Sequence, residues 1–115
     1  MPIPLKAPTS KTSANTYASV FGGMVRTGAA AKKWVIRVKE NDVNSVTYKI
    51  LGSIDGTNTE TLGDGDGSGS TGEYALDDAT AYHTLTDAWP YIDVQVKSTV
   101  GGSHGSITAE ISETS

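Results

Sequence analysis

Short runs in which apolar and polar residues alternate recur along the chain from Tyr17 onwards, and Gly, Asn, Asp and Ser separate them. Alternation with a period of two is typical of a β-strand with one buried face. The clearest runs are residues 33–40, 45–54, 91–98 and 106–112. Weaker strands are predicted at residues 17–25, 58–62, 73–76 and 82–85, which gives seven or eight strands.

This spacing of short strands predicts an all-β fold, an antiparallel sandwich or jelly roll. No segment has the length and pattern of a long helix. Trp34 and Tyr48 are expected to be core residues on adjacent strands. The other apolar side chains predicted to face inward are Ile36, Val38, Val46, Ile50, Ile54, Ile92, Val94, Val96, Ile107, Ala109 and Ile111.

The connections between the runs also carry signals. Asp55 and Gly56 form a typical turn dipeptide after the second clear run. Pro90 precedes the third run, at a position where a strand tolerates the missing N–H. The glycine-rich segment 101–105 predicts a hairpin between the last two strands.

The first 13 residues differ from the rest, because they show no hydrophobic period and contain Pro2, Pro4 and Pro8. Proline fixes an extended backbone and removes an amide donor. We therefore expect residues 1–13 to form an extended arm outside the sheets, and residues 14–115 to form a single sandwich domain. With no apolar run of signal-peptide length, the chain is expected to be an unprocessed product made in the host cytoplasm.

Composition agrees with strands joined by flexible turns. The 115 residues include 31 of the β-branched types Val, Ile and Thr, together with 13 glycines. A net charge of only −4 argues against a disordered chain. The absence of cysteine excludes a disulfide framework, a thiolate metal site and a cysteine nucleophile.

Charge is distributed unevenly along the chain. Up to Lys49 there are eight basic and two acidic residues, for a charge of +6, whereas from Leu51 onwards one base and eleven acids give −10. One interpretation is a basic amino-terminal arm that binds an acidic partner. The other, which we favour, is that the strands of the two halves are interleaved in the fold, so that the charges mix on the surface.

A metal site is suggested by one motif. Asp64, Asp66 and Ser68 match the first oxygen ligands of an EF-hand calcium loop, with glycine at the sixth position. The twelfth position is Ala75, where a bidentate glutamate is required, and no flanking helices are predicted. A solvated loop is therefore favoured over calcium binding, and no other metal or cofactor is expected.

Catalytic signatures are lacking in the sequence. The two histidines, His83 and His104, have no neighbours at metal-ligand spacing. The sequence contains no nucleophile elbow, phosphate-binding glycine loop or paired carboxylates in a defined context. We therefore predict that the protein is not an enzyme and has no catalytic residues.

Three aromatic residues, Tyr82, Trp89 and Tyr91, are not assigned to the core. Exposed Trp and Tyr near strand ends stack on sugars or anchor a partner protein. The sequence around them is acidic, which argues against nucleic acid as a partner, since such sites interleave aromatics with Lys or Arg.

Three segments resemble the small β-sandwich virion proteins of tailed bacteriophages. They are YKILGSIDG at residues 48–56, WPYIDVQVKS at 89–98 and GSITAEI at 105–111. The resemblance implies a non-enzymatic virion structural protein, first a capsid decoration or cement protein of the jelly-roll type that binds the major capsid protein lattice and stabilises the head. A neck or tail component is the alternative within this group.

From the resemblance and the arm together we expect a homo-oligomer, with a trimer favoured, on the capsid surface of the virion. Neither a membrane nor a nucleic acid is an expected partner. An alternative of a different class is a carbohydrate-binding or adhesion module of the same fold, suggested by the aromatics near Trp89 and by the acidic loop. The residues predicted to bind a protein partner are Pro2, Pro4, Lys6, Lys11, Trp89 and Tyr91.

Overall fold

The computed structural model describes residues 4–14, 16–27, 34–40, 46–62, 73–76, 80–85, 89–98 and 105–113. This part of the chain forms strands and turns. The strands are β1 (Pro4–Thr12), β2 (Ala18–Ser19), β3 (Val25–Arg26), β4 (Trp34–Glu40), β5 (Val46–Ser53), β6 (Thr59–Leu62), β7 (Glu73–Leu76), β8 (Thr80–Thr84), β9 (Tyr91–Lys97) and β10 (Ser106–Glu113).

The strands form two antiparallel sheets. One has four strands in the order β1-β10-β4-β8, and the other has six, in the order β2-β9-β5-β6, with β3 also paired to β9 and β7 to β5. The predicted all-β antiparallel sandwich is confirmed. No helix within the described residues is long and apolar enough to cross a membrane.

The core lies between the two sheets and follows the predicted alternation closely. Trp34 lies on the four-stranded sheet and Tyr48 on the six-stranded sheet, so they are on facing layers and not on adjacent strands. Burial of these apolar side chains is the main stabilising contribution, at about 25 cal/mol per Å². The buried set on the longest strands is Trp34, Ile36, Val38, Val46, Tyr48, Ile50, Ile92, Val94, Val96, Ile107, Ala109 and Ile111.

The amino-terminal segment is extended, as predicted, but it does not lie outside the sheets. Residues 4–12 form the edge strand β1, which pairs with β10 from Pro4 opposite Ser112 to Thr12 opposite Ser106. The pairing has irregularities between Pro4 and Lys6 and between Lys6 and Thr9, close to both prolines of the strand. An edge strand with an irregular register accommodates residues that lack an N–H. The prolines therefore did not keep this segment out of the sheet.

One predicted connection and one predicted strand also differ from the structure. The last two strands do not form a hairpin, because β9 belongs to the six-stranded sheet and β10 to the four-stranded one. The run at residues 17–25 is divided into β2 and β3, which pair with different parts of β9. Between them lie Gly22 and Gly23, both with the positive φ that favours glycine.

The basic and acidic halves of the chain are interleaved in the sheets, which agrees with the second interpretation of the charge distribution. Strand β4, from the basic half, lies between β10 and β8 from the acidic half. Arg37 forms a 2.6 Å ion pair with Glu110 across the first of these pairings. Both side chains are partly exposed, so the pair contributes about 1 kcal/mol or less.

Candidate functional site

The β5–β6 hairpin ends in a turn that the Asp55 carboxylate holds together. Its Oδ1 accepts hydrogen bonds from the backbone N–H groups of Asn58 and Thr57, both at 2.8 Å, and from the Ser53 hydroxyl at 3.1 Å. Gly56 has a φ of +82°, which an L side chain would adopt only with strain. The hydrogen bonds from Asn58 and Thr57 hold the pKa of Asp55 well below its usual range, so the turn is built around an ionised carboxylate.

Trp89 lies against this hairpin with its indole over Gly52. A Cβ atom on Gly52 would come within 2.5–2.9 Å of the indole carbons, so the close approach requires glycine. The Thr27 hydroxyl donates a 2.7 Å hydrogen bond to the Trp89 carbonyl oxygen. Trp89 also packs against the core. The indole is therefore held in place from the sheet side and by its own backbone.

A concave groove of about 400 Å³ lies beside this contact, and both Trp89 and the hairpin line it. Its walls are Gly52, Ile54, Asp55, Asn58, Thr59, Glu60 and Trp89. Glu60 is the cross-strand partner of Gly52, and Gly52 is the partner of the buried Ile92, so all three lie on the inner side of the six-stranded sheet. The groove is thus an extension of the inner layer beyond the packed core.

Ile54 is the apolar residue on the rim of the groove. The alternation predicted it in the core, but 78% of it is exposed. The prediction is wrong because β5 ends at Ser53 and the chain turns there, so the period of two no longer defines the face of the next residue. The exposed Ile54 instead gives the groove an apolar edge.

Tyr91 lies on the opposite side of the same hairpin. It precedes the buried Ile92 on β9 and therefore points to the outer face, where its ring lies next to Gly56. Trp89 and Tyr91, which the sequence grouped as partner-binding residues, do not form one surface. Of the two, Trp89 lines the groove.

Asp93 lies on the outer side of β9, between the inward-facing Ile92 and Val94, yet it is only 2% exposed. Its Oδ1 accepts a 2.6 Å hydrogen bond from the Ser19 hydroxyl of β2 and a 2.8 Å hydrogen bond from the Val94 N–H. Burial raises the pKa of Asp93 to about 6. Sequence reasoning missed this residue, because nothing in the alternation indicates that the short strand β2 lies beside it.

His83 lies between the two sheets, where it is 5% exposed. Its Nε2 is 2.6 Å from the hydroxyl of Tyr48, and the ring of Tyr74 lies 4.6 Å away, centroid to centroid. The arrangement joins β8 of one sheet to β5 of the other, which makes His83 a core histidine. Within the described ranges, no three His, Asp or Glu side chains come together as a group that would hold a metal ion.

The remaining predicted site residues are dispersed. Lys11 is half-buried and pairs with the core residue Ile107, so it lies on the inner side of β1. Pro4 and Lys6 belong to the same edge strand. Outside the described residues lie Pro2, His104 and the calcium candidates Asp64, Asp66 and Ser68.

A second exposed aromatic lies on the other sheet. Tyr82 of β8 is 66% exposed, and its cross-strand partner is Arg37. Arg37 in turn bonds to Glu110, so the three side chains form a row across the outer face of the four-stranded sheet. Ser10 of β1 and Thr108 of β10, 2.7 Å apart, belong to the same face. We call these five residues the outer-face row.

Comparison with known proteins shows a likeness at the level of fold. A solved structure described as the crystal structure of PirA superposes with a TM-score of 0.62 at 11% sequence identity, and the match covers 90% of this chain and 92% of that one. No protein-family model matches the chain, and no curated protein matches it. At this identity the similarity shows a shared two-sheet architecture and carries no function with it.

Proposed function

We propose that the protein is a non-enzymatic virion structural protein, in the first place a capsid decoration protein that binds the major capsid protein lattice and stabilises the head. The observation that carries the proposal is how the segments of the resemblance fold. Those segments form β5 and β9, which are neighbours at the centre of the six-stranded sheet, and β10 in the facing sheet. The three segments therefore contribute long strands to both sheets of the sandwich.

The outer-face row is the surface that best suits such a partner. It combines an exposed tyrosine with an arginine, two residue types that are enriched at protein interfaces. Its remaining members, Glu110, Ser10 and Thr108, supply acceptors and donors on a sheet surface. Because Ser10 belongs to β1, the amino-terminal segment takes part in this surface as an edge strand and not as a free arm.

Three-fold assembly suits this role, because equivalent faces that bind a lattice together gain avidity. We propose a homotrimer on the capsid surface. A neck or tail location remains the alternative within the same class of protein, and it would use the same face against a different virion protein.

The proposal is tested by co-expressing the chain with the major capsid protein of the same genome and measuring its occupancy on sedimented particles. We expect the protein to co-sediment, and Tyr82→Ala to lower its affinity about tenfold or more, as expected for an aromatic in the centre of an interface. Ile54→Ala is the matched control, since Ile54 is the other large exposed hydrophobic residue of the described chain and lies at the groove.

If the chain is absent from the particles, the capsid role is wrong. If it binds and Tyr82→Ala is no weaker than Ile54→Ala, the outer-face row is not the interface. Cryo-electron microscopy of whole virions distinguishes head from neck and tail, because each location has a different symmetry.

A further inference from the structure

We infer that the groove between Trp89 and the β5–β6 hairpin is a binding site for a neutral saccharide, with one sugar ring stacked on the indole of Trp89. The inference goes beyond the virion role and does not depend on it. With a volume of about 400 Å³, the groove lies within the range of about 300–1,000 Å³ that is typical of small-molecule sites.

The indole of Trp89 is a fixed platform. One side of the ring rests on Gly52, and Trp89 packs against the core. Thr27 binds the backbone on both sides of the Trp89–Pro90 peptide, through its hydroxyl to Trp89 O and through its N–H to Pro90 O at 2.9 Å. A proline after Trp89 further restricts that residue to extended conformations. Little side-chain freedom is then lost on binding.

The groove also has a polar rim, to which Asn58 and Glu60 belong. Glu60 is exposed and engages no hydrogen bond or ion pair among the described residues, so its carboxylate is available to accept hydrogen bonds from a ligand. Asn58 uses one amide N–H to bond Asp55 and retains the rest of its amide group. A flat apolar platform facing amide and carboxylate groups matches a sugar ring, which has an apolar face and hydroxyls at its edge.

The charges on the rim favour a neutral ligand. The rim carries two carboxylates, Asp55 and Glu60, and among the residues that the structure describes no basic side chain lines the groove. Like charges repel, so an anionic sugar, a phosphate or a nucleic acid is disfavoured. An organic cation fits less well, because it is best enclosed by several aromatic rings. Here Tyr91 lies on the other side of the hairpin, and within the described part of the chain Trp89 is the one aromatic lining the groove.

The test is an array of neutral and acidic oligosaccharides, followed by titration of the purified chain with the sugars that bind. We expect binding to neutral glycans, with a millimolar dissociation constant for a single ring. Trp89→Ala should weaken it about tenfold or more, and Trp89→Phe should restore part of the affinity. Glu60→Gln, which keeps the shape of the rim, should weaken binding less while leaving neutral glycans preferred.

Tyr82→Ala is the control, since it removes an exposed aromatic from the opposite sheet. Circular dichroism of each variant distinguishes a loss of binding from a loss of fold. If Trp89→Ala does not fold, the affinity of Glu60→Gln still tests the site. Tetramethylammonium chloride serves as the cation probe. The inference is overturned if no glycan binds, if acidic glycans bind better than neutral ones, if tetramethylammonium alone binds, or if Tyr82→Ala is as weak as Trp89→Ala.

Discussion

The two halves of strand β5 follow the same sequence pattern and have different surroundings. In the first half, Val46, Tyr48 and Ile50 are buried against the four-stranded sheet, and the Tyr48 hydroxyl bonds to His83 of that sheet. In the second half, the inner position after Ile50 is Gly52, covered by Trp89, and the next apolar residue, Ile54, is exposed.

The difference shows that alternation predicts burial only where a second layer is present. The outer side of β5 gives the complementary case. Leu51 belongs to the polar set by alternation, yet it is buried, as is its cross-strand partner Asp93. Which positions are covered therefore depends on neighbours that are distant in sequence, such as β2 and Trp89.

The largest expected effect compares Ile50 with Ile54. Ile50→Ala should lower the free energy of unfolding by about 2–5 kcal/mol, because it leaves a cavity between the sheets. Ile54→Ala should change it by about 0.5 kcal/mol or less, since the side chain is already in solvent. Urea unfolding of both variants measures the two values. Equal losses would show that the two halves of β5 are packed alike.

A smaller effect, dependent on pH, is expected at Asp93. Its folded pKa of about 6 is above the usual value of 3.8, so the folded state holds this proton more tightly than the unfolded state does. The stability that it contributes is complete below about pH 4 and is lost as the pH rises through 6. The loss is at most about 3 kcal/mol, at about 1.4 kcal/mol per pKa unit.

Asp93→Asn removes this titration, so the variant should gain stability relative to the wild type as the pH rises from 4 to 7. Asp55→Asn is the matched control with the opposite sign. Because the pKa of Asp55 is lowered in the folded state, its carboxylate stabilises the fold at pH values above its unfolded pKa, and this contribution is lost as the pH falls. Asp55→Asn should therefore be less stable than the wild type at neutral pH. Urea unfolding across the pH range checks both. If the difference in unfolding free energy between Asp93→Asn and the wild type did not change with pH, the Asp93 carboxyl would not titrate in this range.

The smallest of the predicted effects is at Gly52. Gly52→Ala places a methyl group against the indole of Trp89, for which overpacking costs about 1–3 kcal/mol. The cost arises because the core and the hydrogen bonds of Thr27 hold Trp89, so the indole or the strand must shift to admit the methyl group. The change should nearly vanish in a Trp89→Ala background, which a double-mutant cycle of unfolding free energies measures. An unchanged cost in that background would place the strain elsewhere.

Sequence reasoning located the four longest core strands and missed β1, the division of residues 17–25 into β2 and β3, and the details of the groove. The runs with alternating Ile and Val gave β4, β5, β9 and β10 to within a few residues, because burial of one sheet face imposes a period of two. It selected Trp89 as a candidate binding residue but not Glu60 or Asn58. No local signal joins those residues to Trp89, since they approach it only through the pairing of β5 with β6 and β9.

The prolines and the charges likewise show the difference between what the local sequence predicts and what the fold decides. The prolines near the amino terminus limit hydrogen bonding locally, but an edge strand has one side that needs none, so β1 was able to join β10. Likewise, the sequence order separates bases from acids, and the strand order brings Arg37 to Glu110. The sequence alone determined the all-β class and the apolar face of each long strand, because those depend on the backbone geometry of a few consecutive residues. The tertiary structure alone decided which edge was covered, which carboxyl was buried and which aromatic lined a groove, because those depend on contacts between segments that the chain order keeps apart.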